Sequence, residues 1–210
     1  MIRVLIADDH PVVRRGLQEI LGSETGFSVA GEAHNGAEAI ELVRKQKFDV
    51  VLLDITMPGR SGLDVLKEIK QDFPRLPVLI LSIHPEDQYA VRSLKAGADG
   101  YLTKESAPEE LIKAIRKVMQ GGKYVSASLA ENLAFQLEAK THRAPHETLS
   151  DREYQIFCLI ASGKGLTEIG EDLSLSVKTI STYRTRILEK FGMKNNAELT
   201  RYALEHQLLP

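Results

Sequence analysis

Over residues 1–119 the chain switches repeatedly between two hydrophobic periods, and this alternation constrains its fold more than any other feature. Short β-rich runs stand at 2–7 (IRVLIA), 27–33 (FSVAGEA), 49–53 (DVVLL), 77–81 (PVLIL) and 99–102 (DGYL). Segments with helical spacing lie between them. Val13, Leu17, Ile20 and Leu21 share one face within 12–21, Ala37, Ile40 and Val43 another, and Leu63, Leu66 and Ile69 a third. Ala90–Ala96 and Leu111–Met119 complete the set. Five strands alternating with five helices predict an α/β doubly wound, five-stranded parallel sheet. The runs at 50–53 and 77–81 are apolar without alternation, as strands buried on both faces require. Right-handed crossovers place every strand's C-terminal end along one rim, where such sheets carry their chemistry.

Beyond Met119 the pattern stops. Gly121-Gly122 ends a helix, and 139–148 has no periodicity, so 120–147 reads as a linker with one helix over 126–138. From 148 to 210 the chain predicts a small all-α domain of four helices. Ser150, with Glu153 three residues on, forms a capping box that opens a helix ending near Gly163. Helices at 167–173, 177–191 and 196–208 follow, with Gly192 closing the third. The middle pair, joined by the tight turn 174–176, predicts a helix-turn-helix.

Composition narrows the class. One cysteine excludes an internal disulfide and fits a reducing compartment; scattered histidines give no zinc cluster. The N-terminal apolar run meets Asp8-Asp9 at once, leaving no signal-peptide core, and no stretch approaches the roughly 20 apolar residues of a membrane span. The expectation is a soluble cytoplasmic protein with no membrane partner. Net charge is −2, but residues 174–194 hold Lys178, Arg184, Arg186, Lys190 and Lys194 against Glu189 alone. Such a stripe marks either nucleic-acid binding or a solvated helix face.

Four signals converge on the predicted rim. Asp8-Asp9 follow the first strand, Asp54 ends the third, Ser82 ends the fourth and Lys104 lies just past the fifth. Three carboxylates brought together repel, and a hard cation such as Mg²⁺ resolves the conflict. Asp54, lying centrally, is the candidate carboxylate nucleophile toward phosphorus. Lys104 and the Ser82 hydroxyl are placed to bind phosphoryl oxygens. Each residue alone is as well explained by a loop cap or a surface ion pair; the full set on one rim is not.

In these residues the chain resembles a two-component response regulator. Ala7-Asp8-Asp9-His10, Leu53-Asp54-Ile55-Thr56-Met57-Pro58-Gly59, Ser82 and Gly100-Tyr101-Leu102-Thr103-Lys104 match, in order and spacing, a flavodoxin-like receiver domain over about 2–119. The resemblance implies Asp54 as acceptor of a phosphoryl group from a sensor histidine kinase. It implies Asp8, Asp9, Asp54 and the carbonyl of Thr56 around Mg²⁺, Asp8 through water, and Ser82 with Tyr101 as a switch pair. Pro58-Gly59 and Gly62 shape the turn into the third helix, and Thr56 and His84 flank the site where they can tune phosphoaspartate lifetime.

Residues 149–208 resemble the LuxR-type helix-turn-helix domain, through Leu149-Ser150-Asp151-Arg152-Glu153, Gly163, Thr167-Glu168-Ile169, Leu173–Ile180 and Ile187-Leu188 with Lys190-Phe191. The whole chain therefore resembles a NarL/FixJ-type regulator. Gly165-Leu166 and Tyr183 depart from the usual pattern. The candidate DNA contacts are Lys178, Thr179, Ser181, Thr182, Arg184, Thr185, Arg186 and Lys190, the basic ones for phosphates and the hydroxyls for the groove. The implied partners are double-stranded promoter DNA, a second copy on activation, and RNA polymerase. A Mg²⁺-dependent phosphohydrolase is the main alternative; it needs a second acid two residues past Asp54, where Thr56 stands. A phosphate-independent DNA binder and a purely structural interaction protein are weaker readings.

Overall fold

The computed structural model describes residues 1–83, 86–127, 129–131, 144–206, 208 and 209. The chain divides into two compact units, Met1–Leu133 and Ala134–Pro210.

In the first unit, strands β1 (Ile2–Ala7), β2 (Phe27–Ala33), β3 (Val50–Asp54), β4 (Val78–Ser82) and β5 (Gly100–Thr103) form one parallel sheet in the order β2-β1-β3-β4-β5. Helices α1 (Pro11–Ser23), α2 (Gly36–Lys45), α3 (Gly62–Asp72), α4 (Glu86–Lys95) and α5 (Pro108–Met119) connect and follow the strands. The last three strands begin and end one residue later than their sequence runs. All ten residues of β3 and β4 are buried, as central strands covered on both faces must be. Val4, Ile6, Val50, Leu52, Leu79 and Leu81 pack with Leu17 and Leu21 of α1 and Leu111 and Ile115 of α5. The alternate residues Leu5, Val51, Leu53, Val78 and Ile80 are equally buried and face the other way.

The switch in strand order lies between β1 and β3, which sit side by side with Ala7 opposite Leu53. That register sets Asp8-Asp9 beside Asp54 at the C-terminal rim. The approach to α3 is closely built. A Cβ on Gly62 would stand 2.2 Å from the Asp54 carbonyl oxygen and 2.6 Å from Ile55 Cα, so the turn tolerates only glycine there. Gly59, at φ 79°, supplies the left-handed residue before it, and Ser61 caps α3 by accepting from the Leu63 amide.

The first unit runs on past Met119. Tyr124 forms a parallel bridge with Gly100, donates its amide to the Asp99 carbonyl at 2.8 Å, and accepts from the Tyr101 amide at 3.4 Å. Lys123 Nζ reaches the Ala98 carbonyl (2.6 Å) and Asp99 Oδ1 (3.1 Å). Residues 129–131 are helical and Leu129 is buried; the expected helix beyond Glu131 lies outside the described residues.

In the second unit a 3-10 turn (Pro145–Thr148) precedes α6 (Asp151–Ala161), α7 (Leu166–Asp172), α8 (Val177–Phe191) and α9 (Asn196–Glu205). Ser150 and Glu153 make the expected capping box. The last helix ends at Glu205, short of Leu208. Ile156, Ile160, Ile169, Leu173, Ile180, Ile187 and Leu199 fill the core, joined by Phe157, whose ring stacks on Phe191 with centroids 5.1 Å apart. Among the described residues no helix is long and apolar enough to cross a membrane.

Candidate functional site

The rim of the first unit gathers the expected residues. Asp8 and Asp54 are each about 1% exposed, and ligand atoms of Asp8, Asp9, His10 and Asp54 all lie within 4.8 Å of one another. Lys104 Nζ sits 2.7 Å from Asp8 Oδ2 and 2.7 Å from Asp54 Oδ2, with its side chain only 9% exposed. Its backbone is fixed by a bond from the Lys104 amide to the Ser82 carbonyl, 2.8 Å. The second oxygen of Asp54, Oδ1, accepts from the Thr56 amide at 3.0 Å.

Electrostatics follow from this packing. Burial pushes the Asp54 carboxyl up to about 6; Lys104 pulls it down and the Asp8 charge adds to the rise. Burial works against the Lys104 ammonium too, but the Asp54 and Asp8 carboxylates outweigh it and hold its pKa above the usual lysine range. The site thus has more negative charge than its one lysine offsets.

The donor set fits a hard divalent cation. Asp8 Oδ2 and Asp9 Oδ1 are buried, the first against the Lys104 ammonium at 2.7 Å and the second against His10 Nδ1 at 2.8 Å, with lone pairs left for a metal. Carboxylate oxygens in that state are what Mg²⁺ takes, completing its shell with water. His10 Nδ1 lies 2.8 Å from Asp9 Oδ1, and the ring is largely exposed, so it borders the site from the solvent side.

Ser82 and Tyr101 are both wholly buried, on adjacent strands, with Ile80 opposite Tyr101 and Ser82 opposite Thr103. The Tyr101 ring therefore lies inside the protein in this structure. Thr56 is half-buried beside Asp54. His84 lies outside the described residues.

Two participants escaped the sequence reading. Arg14, on α1, is 7% exposed, and its Nη1 donates to the Asp8 carbonyl at 2.8 Å. The signal was present: Arg14 shares the buried face of α1 with Leu17 and Leu21, at i, i+3 and i+7. Tyr124 is the other, tied to β5 next to Tyr101, with no periodic signal around it.

In the second unit the helix-turn-helix is built around a glycine. A Cβ on Gly170 would meet the Leu175 carbonyl oxygen at 2.7 Å, and the Leu175 amide donates to Gly170 O at 2.8 Å. The turn between α7 and α8 passes through Ser174 at φ 52°. Ser176 caps α8 by accepting from the Thr179 amide. Lys178, Ser181, Thr182, Thr185 and Arg186 are exposed along α8, whereas Ile180, Ile187 and Leu188 are buried beneath it. The Thr182 and Thr185 hydroxyls donate to the carbonyls of Lys178 (3.0 Å) and Ser181 (3.1 Å), leaving their oxygen lone pairs outward. Thr179 is half-buried and its hydroxyl meets Ser176 Oγ. Arg184 and Lys190 have partners inside the domain: Arg184 Nε donates to Asn196 Oδ1 at 2.6 Å, and Lys190 Nζ pairs with Glu153 Oε2 at 2.5 Å.

Residues 4–116 match the response regulator receiver domain, and residues 147–203 match the luxR family of bacterial regulatory proteins. This chain is a response regulator. It is 39% identical over 209 residues to Response regulator UvrY of Escherichia coli K12, covering 99% of this chain and 96% of that relative. It is 38% identical over 210 residues to Response regulator GacA of Pseudomonas aeruginosa PAO1, covering 100% and 98%. Among solved structures it resembles RcsB of Salmonella enterica serovar Typhimurium bound to promoter rprA in the presence of the phosphomimetic BeF3−. There the TM-score is 0.66 at 29% identity, over 96% of this chain and 98% of that one. The response regulator thus joins a phosphorylatable receiver to a luxR-type domain for DNA binding and transcription regulation.

Proposed function

We propose that Asp54 accepts the phosphoryl group and that this event switches promoter binding through the α8 surface. The carrying observation is the cluster of Asp8, Asp9 and Asp54 held against the single buried ammonium of Lys104 at the strand-order switch. A carboxylate oxygen of Asp54 attacks the phosphorus of a sensor kinase's phosphohistidine; the P–O bond forms as the P–N bond breaks and the imidazole leaves. Mg²⁺, held by Asp8, Asp9, Asp54 and the Thr56 carbonyl, would neutralise charge on the phosphoryl oxygens. Lys104 exchanges its contact with Asp54 for one with a phosphoryl oxygen, and the Ser82 hydroxyl supplies a second donor. Tyr101, on the neighbouring strand β5, would respond to the change at Ser82.

Two phosphorylated copies would then place their α8 helices one DNA turn apart, about 34 Å, on a two-fold site. Lys178 and Arg186 serve phosphates, and Ser181, Thr182 and Thr185 face the bases. Thr179, Arg184 and Lys190 complete the DNA-facing set, the last two giving up or sharing their contacts within the domain. The short hydroxyls leave sequence choice partly to water and DNA shape. The site of action is cytoplasmic, and contact with RNA polymerase would follow promoter binding. The structure of RcsB bound to promoter rprA in the presence of the phosphomimetic BeF3− supports a link between phosphorylation and promoter binding.

Intact-mass spectrometry after incubation with Mg²⁺ and a small phosphodonor tests the reading. One phosphoryl group per chain, lost in Asp54→Asn, is expected. No adduct with a competent donor, together with equal DNA affinity with and without BeF3−, would sink it.

A further inference from the structure

The geometry points to Arg14 as a positioning residue for the acidic pocket: it holds the Asp8 backbone so that Asp8 and Asp9 are set for a divalent cation before one arrives. This inference rests on the Mg²⁺ site proposed above.

Arg14 is placed where a cation costs most and gains least from its own helix. It stands in the first turn of α1, the positive end of the helix dipole, which disfavours added positive charge. It is also nearly buried, a state arginine rarely adopts without a specific partner. What offsets this is a clamp. Nη1 donates to the Asp8 carbonyl at 2.8 Å, while Nε faces Glu32 Oε2 at 3.3 Å across the strand end of β2. Glu32 is held from its other oxygen by Gln18 Nε2, one turn along α1 from Arg14. The chain of contacts therefore runs from α1 and β2 into the loop after β1.

That loop needs holding. Asp8 and Asp9 are adjacent acids brought against Asp54, and without a cation their repulsion favours opening the loop. The Asp8 amide already bonds to the Ala33 carbonyl at 3.1 Å, and Arg14 fixes the carbonyl of the same residue. Both sides of the Asp8 backbone are thus anchored, leaving its carboxylate directed at Lys104 and the pocket. Binding to a pre-set ligand pair avoids the ordering cost that a loose loop would charge to cation affinity. A planar guanidinium reaches two acceptors at a fixed spacing; a lysine ammonium on a flexible stem serves them less well.

The test is Mn²⁺ binding to the full chain, followed by the free-ion paramagnetic resonance signal, with Mg²⁺ as competitor. Arg14→Gln should weaken cation binding by fivefold or more, Arg14→Lys by less, and Glu32→Gln by about twofold. Arg15→Gln, at an exposed neighbour, should leave it unchanged. The half-saturating Mg²⁺ concentration for phosphorylation should rise in parallel while the rate at saturating Mg²⁺ holds. A merely structural role would instead lower the folded fraction and leave the midpoint in place. Equal cation affinity in wild type, Arg14→Gln and Arg14→Lys would overturn the inference. If Arg14→Gln fails to fold, Arg14→Lys and Glu32→Gln decide in the same way. A wild-type chain that binds neither cation would overturn the Mg²⁺ site itself, and this inference with it.

Discussion

Lys104 Nζ lies 2.7 Å from Asp54 Oδ2, and the Thr56 amide takes the other carboxylate oxygen at 3.0 Å. Both oxygens of the proposed nucleophile are therefore engaged, and one contact has to be released for phosphorylation. The Lys104 contact is the mobile one, because its charge can follow the negative oxygens onto the phosphoryl group. Lys104→Met should leave Asp8 and Asp54 buried without a counter-charge. We expect a loss of about 3 kcal/mol in metal-free stability at pH 7.5. The loss should shrink at pH 5, where Asp54 takes up a proton. Urea unfolding in EDTA at the two pH values checks this.

Asp54 itself makes the metal-free receiver less stable as pH rises. Its carboxyl titrates near 6 in the fold, against an ordinary value of 3.8, so the folded state keeps a proton that the unfolded chain has lost. The folded state binds more protons across that window, and stability falls between about pH 4 and pH 6 by up to about 3 kcal/mol. Asp54→Asn should flatten this slope and raise the melting temperature at pH 7 in EDTA. A steeper or unchanged slope in the variant would contradict the assignment.

Glu153 acts in the opposite sense in the second unit. Burial raises its pKa, but Lys190 and the Ser150 backbone outweigh it and hold the carboxyl below its usual range. Its contribution is therefore full above the ordinary glutamate value and is lost as pH falls through the lower folded one. Glu153→Gln should destabilise the second unit at pH 7 and narrow its difference from wild type toward pH 3. Tyrosine fluorescence during denaturant titration provides the readout.

The same pairing bears on DNA affinity. Lys190 Nζ is committed to Glu153 at 2.5 Å, whereas Lys178 and Arg186 are exposed on α8 and have no partner within 4 Å among the acidic groups described. Each phosphate contact removed lowers the slope of log K against log salt by about 0.9. Lys178→Gln and Arg186→Gln should each show that loss per chain bound, and Lys190→Gln a smaller one. Anisotropy titrations at several salt concentrations separate the three.

Gly62→Ala tests the turn behind Asp54. The new methyl would press on the Asp54 carbonyl oxygen from 2.2 Å, and backbone cannot step aside as a side-chain tip can. Overpacking of this kind costs about 1–3 kcal/mol, and phosphorylation should slow with it. Thermal melting and phosphorylation kinetics of the one variant report both effects.

The strands and the acidic rim were readable because both follow from short-range rules. Apolar runs such as Val50–Leu53 announce buried strands, and crossover handedness then puts Asp8, Asp9, Asp54, Ser82 and Lys104 at one end. Arg14 was not readable by the same rule: it occupies a core position in the helical period, but a charged side chain in such a pattern is assigned to solvent unless its partner is known. That partner is a backbone carbonyl, which no residue type encodes. Tyr124 escaped for a similar reason. A single bridge after Gly121-Gly122 has no periodicity, and its acceptor on Asp99 is again backbone. Lys190 belongs by spacing to the basic stripe of α8, and only its contact with Glu153 of the capping box, 37 residues earlier in the chain, shows where its charge goes.

The bridge between Tyr124 and Gly100 changes the point at which the chain leaves the receiver. Past the end of α5 the outgoing backbone is joined to the sheet once more, alongside the strand that carries Tyr101 and leads into Lys104. The root of the tether is thus fastened to β5 as well as to the end of α5, so the outgoing chain is held by the strand that carries Tyr101.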